Sequence, residues 1–401
     1  MNRICLTIIL ALAVSLSGWC EEGPLDVKGL VLGPTASSFA KPNEPEKTAA
    51  AVAPINGPAA TLSLIKNKLE QPGITATLLT LSGPERNGDE VKLVWSRDSK
   101  SAYLLHPNGE LRKVELSSLK QEALFKTMRA DCGNIALSKE GLLLSLRELQ
   151  EVWVLDELTL AVKSKIVVPE IVNVYSSPFL SHAFATQGTP IHGKETLQVL
   201  ELKLKSIVKE HKWTDLAKVA PAKRAPGRPR TAFSWDPVHV TRDGKILLAG
   251  KDFISRLAIN GALLTWEEQG IETREGFGQR LSNGGKYIIV QQDAPADPMI
   301  STSQRQQAVY PVSNLQQPVA TFPPAMIGSV FGYDEVAQRY VGARRGQQFT
   351  IFGKDGKPLR SYVVTTKDDD VRQMFIHPDG YRYLVVTESG IIWVECPAGD
   401  K

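Results

Sequence analysis

The sequence predicts an all-β chain, in which seven repeats of a four-stranded unit form a ring closed by an N-terminal strand. Three observations carry that expectation. A polar turn followed by a short apolar strand recurs along the chain. An alternating strand follows at a near-regular interval. Finally, the last repeat is one strand short, while a spare strand-like segment stands before the first.

The polar turns come first. Ser96-Arg97-Asp98 precedes Ala102 to Leu105, and Ser138 to Gly141 precedes Leu142 to Leu144. Thr241-Arg242-Asp243-Gly244-Lys245 precedes Ile246 to Leu248, and Ser282 to Lys286 precedes Tyr287 to Val290. A weaker instance is Asp334-Glu335 before Arg339 to Val341, and His377-Pro378-Asp379-Gly380 stands before Tyr383 to Val386. Asp-Gly and Asn-Gly between apolar runs are hairpin signals, because these residues reach positive φ at little steric cost.

The alternating strands come second: Leu111 to Leu116, Val152 to Leu158, Thr196 to Leu202, Ile254 to Ile259, Ala308 to Val312, Gln348 to Phe352 and Ile391 to Cys396. Successive strands are 40 to 57 residues apart, with a mean near 46. The side chains alternate with period two over short runs, which excludes the helical repeats of similar length. The polar turn is missing once, between Glu140 and Asp243, where an alternating strand at Thr196 still marks a degenerate repeat near 172–213. Seven repeats result.

Ring closure is the third observation. Only five residues follow Cys396, so the last repeat lacks its fourth strand. Ile74 to Leu81 supplies one, and pairing the two ends removes an exposed edge. Residues 74–397 are therefore expected to form a seven-bladed β-propeller, with a tail at 398–401. In period and turns the chain resembles the WD-repeat, YVTN-type and quinoprotein-like β-propellers. The Gly-His and Trp-Asp pairs of true WD repeats are absent, and Val152-Trp153-Val154-Leu155-Asp156 only echoes the second. The resemblance implies a fold and no particular chemistry.

Upstream, Arg3 and the apolar run Ile4 to Leu16 precede small residues at Ser15, Ser17 and Gly18. The run is short for a bilayer span, so residues 1–20 are expected to be a cleaved secretory signal, with an uncleaved anchor as the alternative. Cys20 suggests a lipoprotein signal, but bulky Trp19 before it departs from that pattern. The expected compartment is periplasmic or extracellular, with no membrane span in the mature chain. Residues 21–73, rich in Ala and Pro from Gly33 to Ala60, are expected to be a flexible linker that buries too little apolar surface to order itself. Leu62 to Leu69 has the pattern of a short helix.

The composition, 401 residues with 42% hydrophobic and 22% charged, excludes a disordered, collagenous or polytopic membrane chain. Four cysteines are too few for a disulfide scaffold; Cys132 and Cys396 are left either as free thiols or as a pair.

Site motifs are weak. Gly188 to Thr196 approaches a phosphate-binding loop, but Glu195 follows Lys194 where a hydroxyl residue is required, and a strand is expected where that motif needs a helix. Pro221 to Arg230 resembles an AT-hook, with Pro226 in place of an arginine, and is read as an exposed basic loop. Asp368-Asp369-Asp370 and Asp293 with Asp297 are read as solvated loop charges, since consecutive aspartates cannot converge on one cation. The six histidines show no metal-binding spacing, and no nucleophile elbow is present. No catalytic, metal or cofactor residue is assigned, and no cofactor is expected.

The net charge of +4 is unevenly placed. From Lys203 to Arg230 nine Lys/Arg face only Glu210 and Asp215, a local +7 that leaves the remainder at −3. Lys223, Arg224, Arg228 and Arg230 are the candidate binding residues, suited to a polyanion. The expectation is an exported, monomeric, non-enzymatic propeller that binds a protein or a polyanionic surface polymer through its face or this loop. Nucleic acid is not the expected partner. The alternative is a propeller enzyme of lactonase or quinoprotein-dehydrogenase type with its site in the central channel.

Overall fold

The computed structural model describes residues 68–71, 74–79, 90–127, 131–187, 196–212, 233–250, 253–260, 263–266, 271–272, 279–293, 305–322, 330–343, 348–363, 370–387 and 390–396. Among these residues there are 30 strands and no helix. They form seven antiparallel sheets.

Blades 1 to 6 span 92–126, 132–167, 171–212, 233–272, 280–322 and 330–363. Each is a four-stranded meander in sequence order, and blade 4 adds the two-residue strand Ile271–Glu272 against Phe253–Asn260. Blade 3 is the degenerate repeat expected near 172–213. All seven alternating strands of the sequence are the third strands of their blades. The six polar turns all join a first strand to a second, and Ser176 to Ser181 is the seventh, in blade 3.

Blade 7 is composite. Val371–Ile376, Arg382–Thr387 and Ile391–Glu395 are joined by Ile74–Leu79, which pairs antiparallel with Ile391–Glu395 from Thr75↔Glu395 to Leu79↔Ile391. The predicted closure is present. It extends further than expected, because Lys68–Gln71 pairs with Ile74–Leu79 as a fifth strand. Lys68 and Leu69 are thus strand rather than the end of a helix, and the propeller includes residues before 74. Phe233–Val240 is the first strand of blade 4.

Burial follows strand position. The second strands Ser101–Leu105 and Gly141–Leu146 are buried throughout, as strands covered on both faces by neighbouring blades must be. The fourth strand Lys120–Lys126 is mostly exposed. One apolar cluster fills each of the seven seams. Leu384, Val386, Ile391 and Trp393 of blade 7 pack on Ala102, Leu104 and Val114 of blade 1, so the closing seam is cored like the other six.

The turns use the conformations their residues suggest. Gly244 and Gly380 have φ of +87° and +71°, and Ser99 holds the equivalent position of blade 1 at +58° without being glycine.

Candidate functional site

Two regions organised by the ring can meet other molecules: the face on which the first turns converge, and the central channel. The first strands run in one sense, so the turns after the first and third strands of every blade lie on one face.

On that face the turns are tied to one another across the channel mouth. Arg97 of blade 1 donates from Nη1 to Pro178 O at 2.8 Å, from Nη2 to Lys139 O at 2.8 Å, and from Nε to Glu157 Oε1 at 2.9 Å. A further bond runs from its Nη2 to Ser138 O. Arg242 of blade 4 donates to Arg97 O at 2.7 Å, and Ser177 Oγ donates to Arg242 O at 2.6 Å. Asn283 Nδ2 reaches from blade 5 to His377 O in blade 7 at 2.8 Å, while its Oδ1 accepts from Glu335 N at 3.0 Å. His377 Nε2 donates to Ser99 O at 2.7 Å, with Nδ1 accepting from Asp379 N at 3.2 Å. Trp95 and Trp393 lie edge-on to this ring at 5.0 and 5.8 Å. Burial holds the His377 pKa below the ordinary histidine value. Backbone carbonyls satisfied by arginine in this way keep the turns in fixed relation.

The same face carries large exposed apolar side chains. Leu158 is 73% exposed, Leu204 70%, Phe179 65%, Val319 54% and Val336 51%, all on first or third turns. Leu158, Phe179 and Leu204 belong to the adjoining blades 2 and 3. They flank a set of linked charged and backbone groups: Arg97 with Glu157 and Pro178, Lys139 N on Leu180 O at 2.8 Å, and Lys203 Nζ 4.0 Å from Glu140.

The channel is lined by the first strands and holds two adjoining cavities of about 350 and 720 Å³. The smaller lies behind the tied turns, walled by Trp95, Thr241, Arg242 and Asn283. The larger reaches the opposite ends of the strands, at Glu90, Lys92, Gln279, Arg280, Phe331 and Gln373. Lys92 Nζ binds Glu90 Oε2 at 2.6 Å, and the Gln373 side chain clips Val91 N at 2.8 Å and Val91 O at 3.1 Å. Arg280 lies over the Phe331 ring, 5.2 Å from its centroid. Burial lowers the Arg280 pKa, and Glu90 opposes that.

The basic candidates Lys223, Arg224, Arg228 and Arg230 lie outside the described residues, as do Asp297, Asp368, Asp369, His192 and Gly188 to Glu195. Thr196 opens the third strand of blade 3, so a strand follows that near-motif, as expected. The described part of the basic segment is the fourth strand of blade 3, Ser206–Lys212, with Lys209 and Lys212 exposed. Asp293 stands opposite Arg305 in the backbone register of the second and third strands of blade 5. Cys132 and Cys396 are not joined in a disulfide. Among the described residues no group of three or more His, Cys, Asp or Glu could hold a metal, and no helix is long and apolar enough to cross a membrane.

Two functional features escaped sequence reasoning. The cross-ring bonds join positions 81 to 145 residues apart, as in Arg97 to Pro178 and Arg242 to Arg97, and have no local signature. Arg280 stands in a two-residue strand, Arg280–Leu281, too short to mark itself.

The fold and channel define a seven-bladed β-propeller. No protein-family model matches the chain, and no curated protein does. Solved structures do. The β-propeller domain of Myceliophteria thermophila Cps50 (Swd1) is similar over 78% of this chain and 98% of that one, at 11% identity and a TM-score of 0.53. The Pan2 WD40 domain of Neurospora crassa matches over 82% and 97%, at 10% identity and a TM-score of 0.55. Kuenenia stuttgartiensis hydrazine synthase matches over 80% and 97%, at 14% identity and a TM-score of 0.51. The likeness is one of fold alone, that of a β-propeller, two of the three matched structures being named as a β-propeller and a WD40 domain.

Proposed function

We propose that the protein is an exported, non-enzymatic propeller that presents its tied-turn face to a partner, a protein or a surface polymer. The observation that carries this reading is the placement of Leu158, Phe179 and Leu204, each 65% exposed or more: the first two stand on turns fixed by the Arg97 and Arg242 bonds, and the third on a turn where Leu202 N–H bonds Ser181 O at 3.2 Å. Large apolar side chains held out on a rigid framework among charged groups are the composition of a contact surface. The charged-then-apolar N-terminus, residues 1–20, supports export. The likeness to the WD40 domains supports a scaffold role by analogy of fold alone.

The test is cross-linking and co-purification from the native source with wild type and a Leu158→Asp, Phe179→Asp, Leu204→Asp triple variant. Loss of a reproducible partner in the variant, with an unchanged melting temperature, supports the reading; an identical set of partners refutes it. The basic segment is tested separately, by retention on heparin. Alanine at Arg224, Arg228 and Arg230 should elute the protein at lower salt, and unchanged retention removes this segment from the interface.

A further inference from the structure

The larger channel cavity contains a cation whose donors are unspent. Among the described residues the Arg280 guanidinium makes no hydrogen bond; it lies over the Phe331 ring, 5.2 Å from its centroid, in the wedge between the first strands of blades 5 and 6. Its backbone register, Arg280↔Ile289 and Leu281↔Ile288, turns Leu281 into the apolar seam with blade 4 and Arg280 to the other side, toward Phe331. The carboxylate that acts on Arg280 across the channel is Glu90, and that carboxylate is already bound by Lys92 at 2.6 Å. Gln373 is likewise committed, both ends of its amide being spent on Val91. Among the described residues the wall thus leaves one cation open, beside the apolar surfaces of Phe331 and Met374, in a cavity of about 720 Å³.

We propose that Arg280 makes the central channel a receptor for a monocarboxylate with an apolar body. A guanidinium presents paired N–H donors in the geometry of a carboxylate, and such charge-assisted pairs strengthen where water is thin. Lys92, Glu90 and Arg280 sum to a single positive charge, which one carboxylate neutralises, whereas a phosphate dianion would meet Glu90 with charge to spare. Phe331 and Met374 take the apolar body. The cavity is of the size that holds small ligands. The carboxylate can belong to a free acid or to the C-terminus of a peptide, since the recognising chemistry is the same. This site is separate from the tied-turn face and stands or falls apart from it.

The experiment is calorimetric titration of the full chain with hexanoate, hexanamide, and the peptide Ala-Leu-Leu as free acid and as C-terminal amide. One of the two acids should bind, and its amide should bind at least about tenfold more weakly, the loss expected for one charged hydrogen-bonded pair. Hexanoate binding identifies a small acid as the ligand class; binding of the peptide acid alone identifies a chain terminus. Arg280→Gln should lower affinity at least about tenfold and Arg280→Lys less, because a lysine lacks the paired donors. Glu90→Gln, at an exposed position, should tighten binding by removing the competing carboxylate, and a Glu90→Gln, Lys92→Gln double variant, which removes both members of that pair, should keep the preference for acid over amide, which a merely structural Arg280 would not allow. Should Arg280→Gln fail to fold, the double variant and the acid–amide pairs decide. Equal binding of acid and amide, no binding of either acid up to about 10 mM, or unchanged affinity in folded Arg280→Gln overturns the proposal.

Discussion

Acid should destabilise this propeller through one histidine in particular. His106 opens the second turn of blade 1, its backbone N–H bound to Glu110 O at 2.8 Å and its carbonyl to Gly109 N at 2.9 Å. The side chain is 3% exposed, and Nε2 is buried without a hydrogen-bond partner. Burial, and secondly the charge of Arg112, push the His106 pKa from 6.5 down to about 4. The imidazole is therefore neutral in the fold, while the unfolded chain takes up a proton near pH 6.5. Between those values the unfolded state binds more protons, so the contribution is complete above pH 6.5 and is lost as pH falls toward 4. At 1.36 kcal/mol per pH unit the full window is worth about 3 kcal/mol, of which about 2.5 kcal/mol is gone by pH 4.5. Urea unfolding at pH 7 and pH 4.5, for wild type and His106→Gln, isolates the effect, because the glutamine variant keeps every other titrating group. The variant should lose about 2 to 3 kcal/mol less than wild type between the two conditions. Equal losses, or a His106 ring resonance titrating near pH 6.5 in the folded protein, would refute the reasoning.

Three further outcomes follow from the ring. A chain starting at residue 68 should melt like the full protein, whereas one starting at residue 80 loses the five residue pairs between 75–79 and 391–395 and should be about 3 to 5 kcal/mol less stable by urea titration and prone to aggregate. Arg97→Ala strips donors from the carbonyls of Ser138, Lys139 and Pro178 and should cost about 2 kcal/mol, with Arg97→Lys recovering only part because a lysine cannot span all of them. Ser99→Gly should stabilise by up to about 1 kcal/mol, since φ of +58° strains any residue with a Cβ; a lower melting temperature would show that the serine hydroxyl matters more than the backbone.

The parts of the fold that local chemistry specifies were legible in the sequence. Thr241 to Lys245 reads as a hairpin because Asp243-Gly244 reaches positive φ, and it is one. The third strands read as strands because they are short runs with period-two alternation in sequence, bounded by turns; burial follows that alternation only in part, as in Glu110–Glu115, while Thr196–Glu201 is buried almost throughout. Blade 3 lost its glycine-containing turn, yet Ser177 still caps the corresponding bend, Phe179 N bonding its Oγ at 3.3 Å. Lys68–Gln71 was missed because four polar-leaning residues carry no period of their own; the Pro72-Gly73 pair that follows was the available hairpin signal. The candidate site was not legible. Arg97, Arg242, Asn283 and Arg280 acquire their roles from residues of other blades, and spacing within one repeat says nothing about which carbonyl or ring stands across a channel.

The closing strand also sets an order in time. Ile74–Leu79 is among the first strands made, and Ile391–Glu395, its partner, is the last. More than 300 residues separate them, which at ordinary rates of synthesis is roughly 15 to 60 s. Through that interval the early strand has only Lys68–Gln71 beside it, its other edge is unpaired, and the growing stack of blades has two open ends. Whatever receives the nascent chain must shield those edges until the final strand arrives, and only then does the disc become a closed ring.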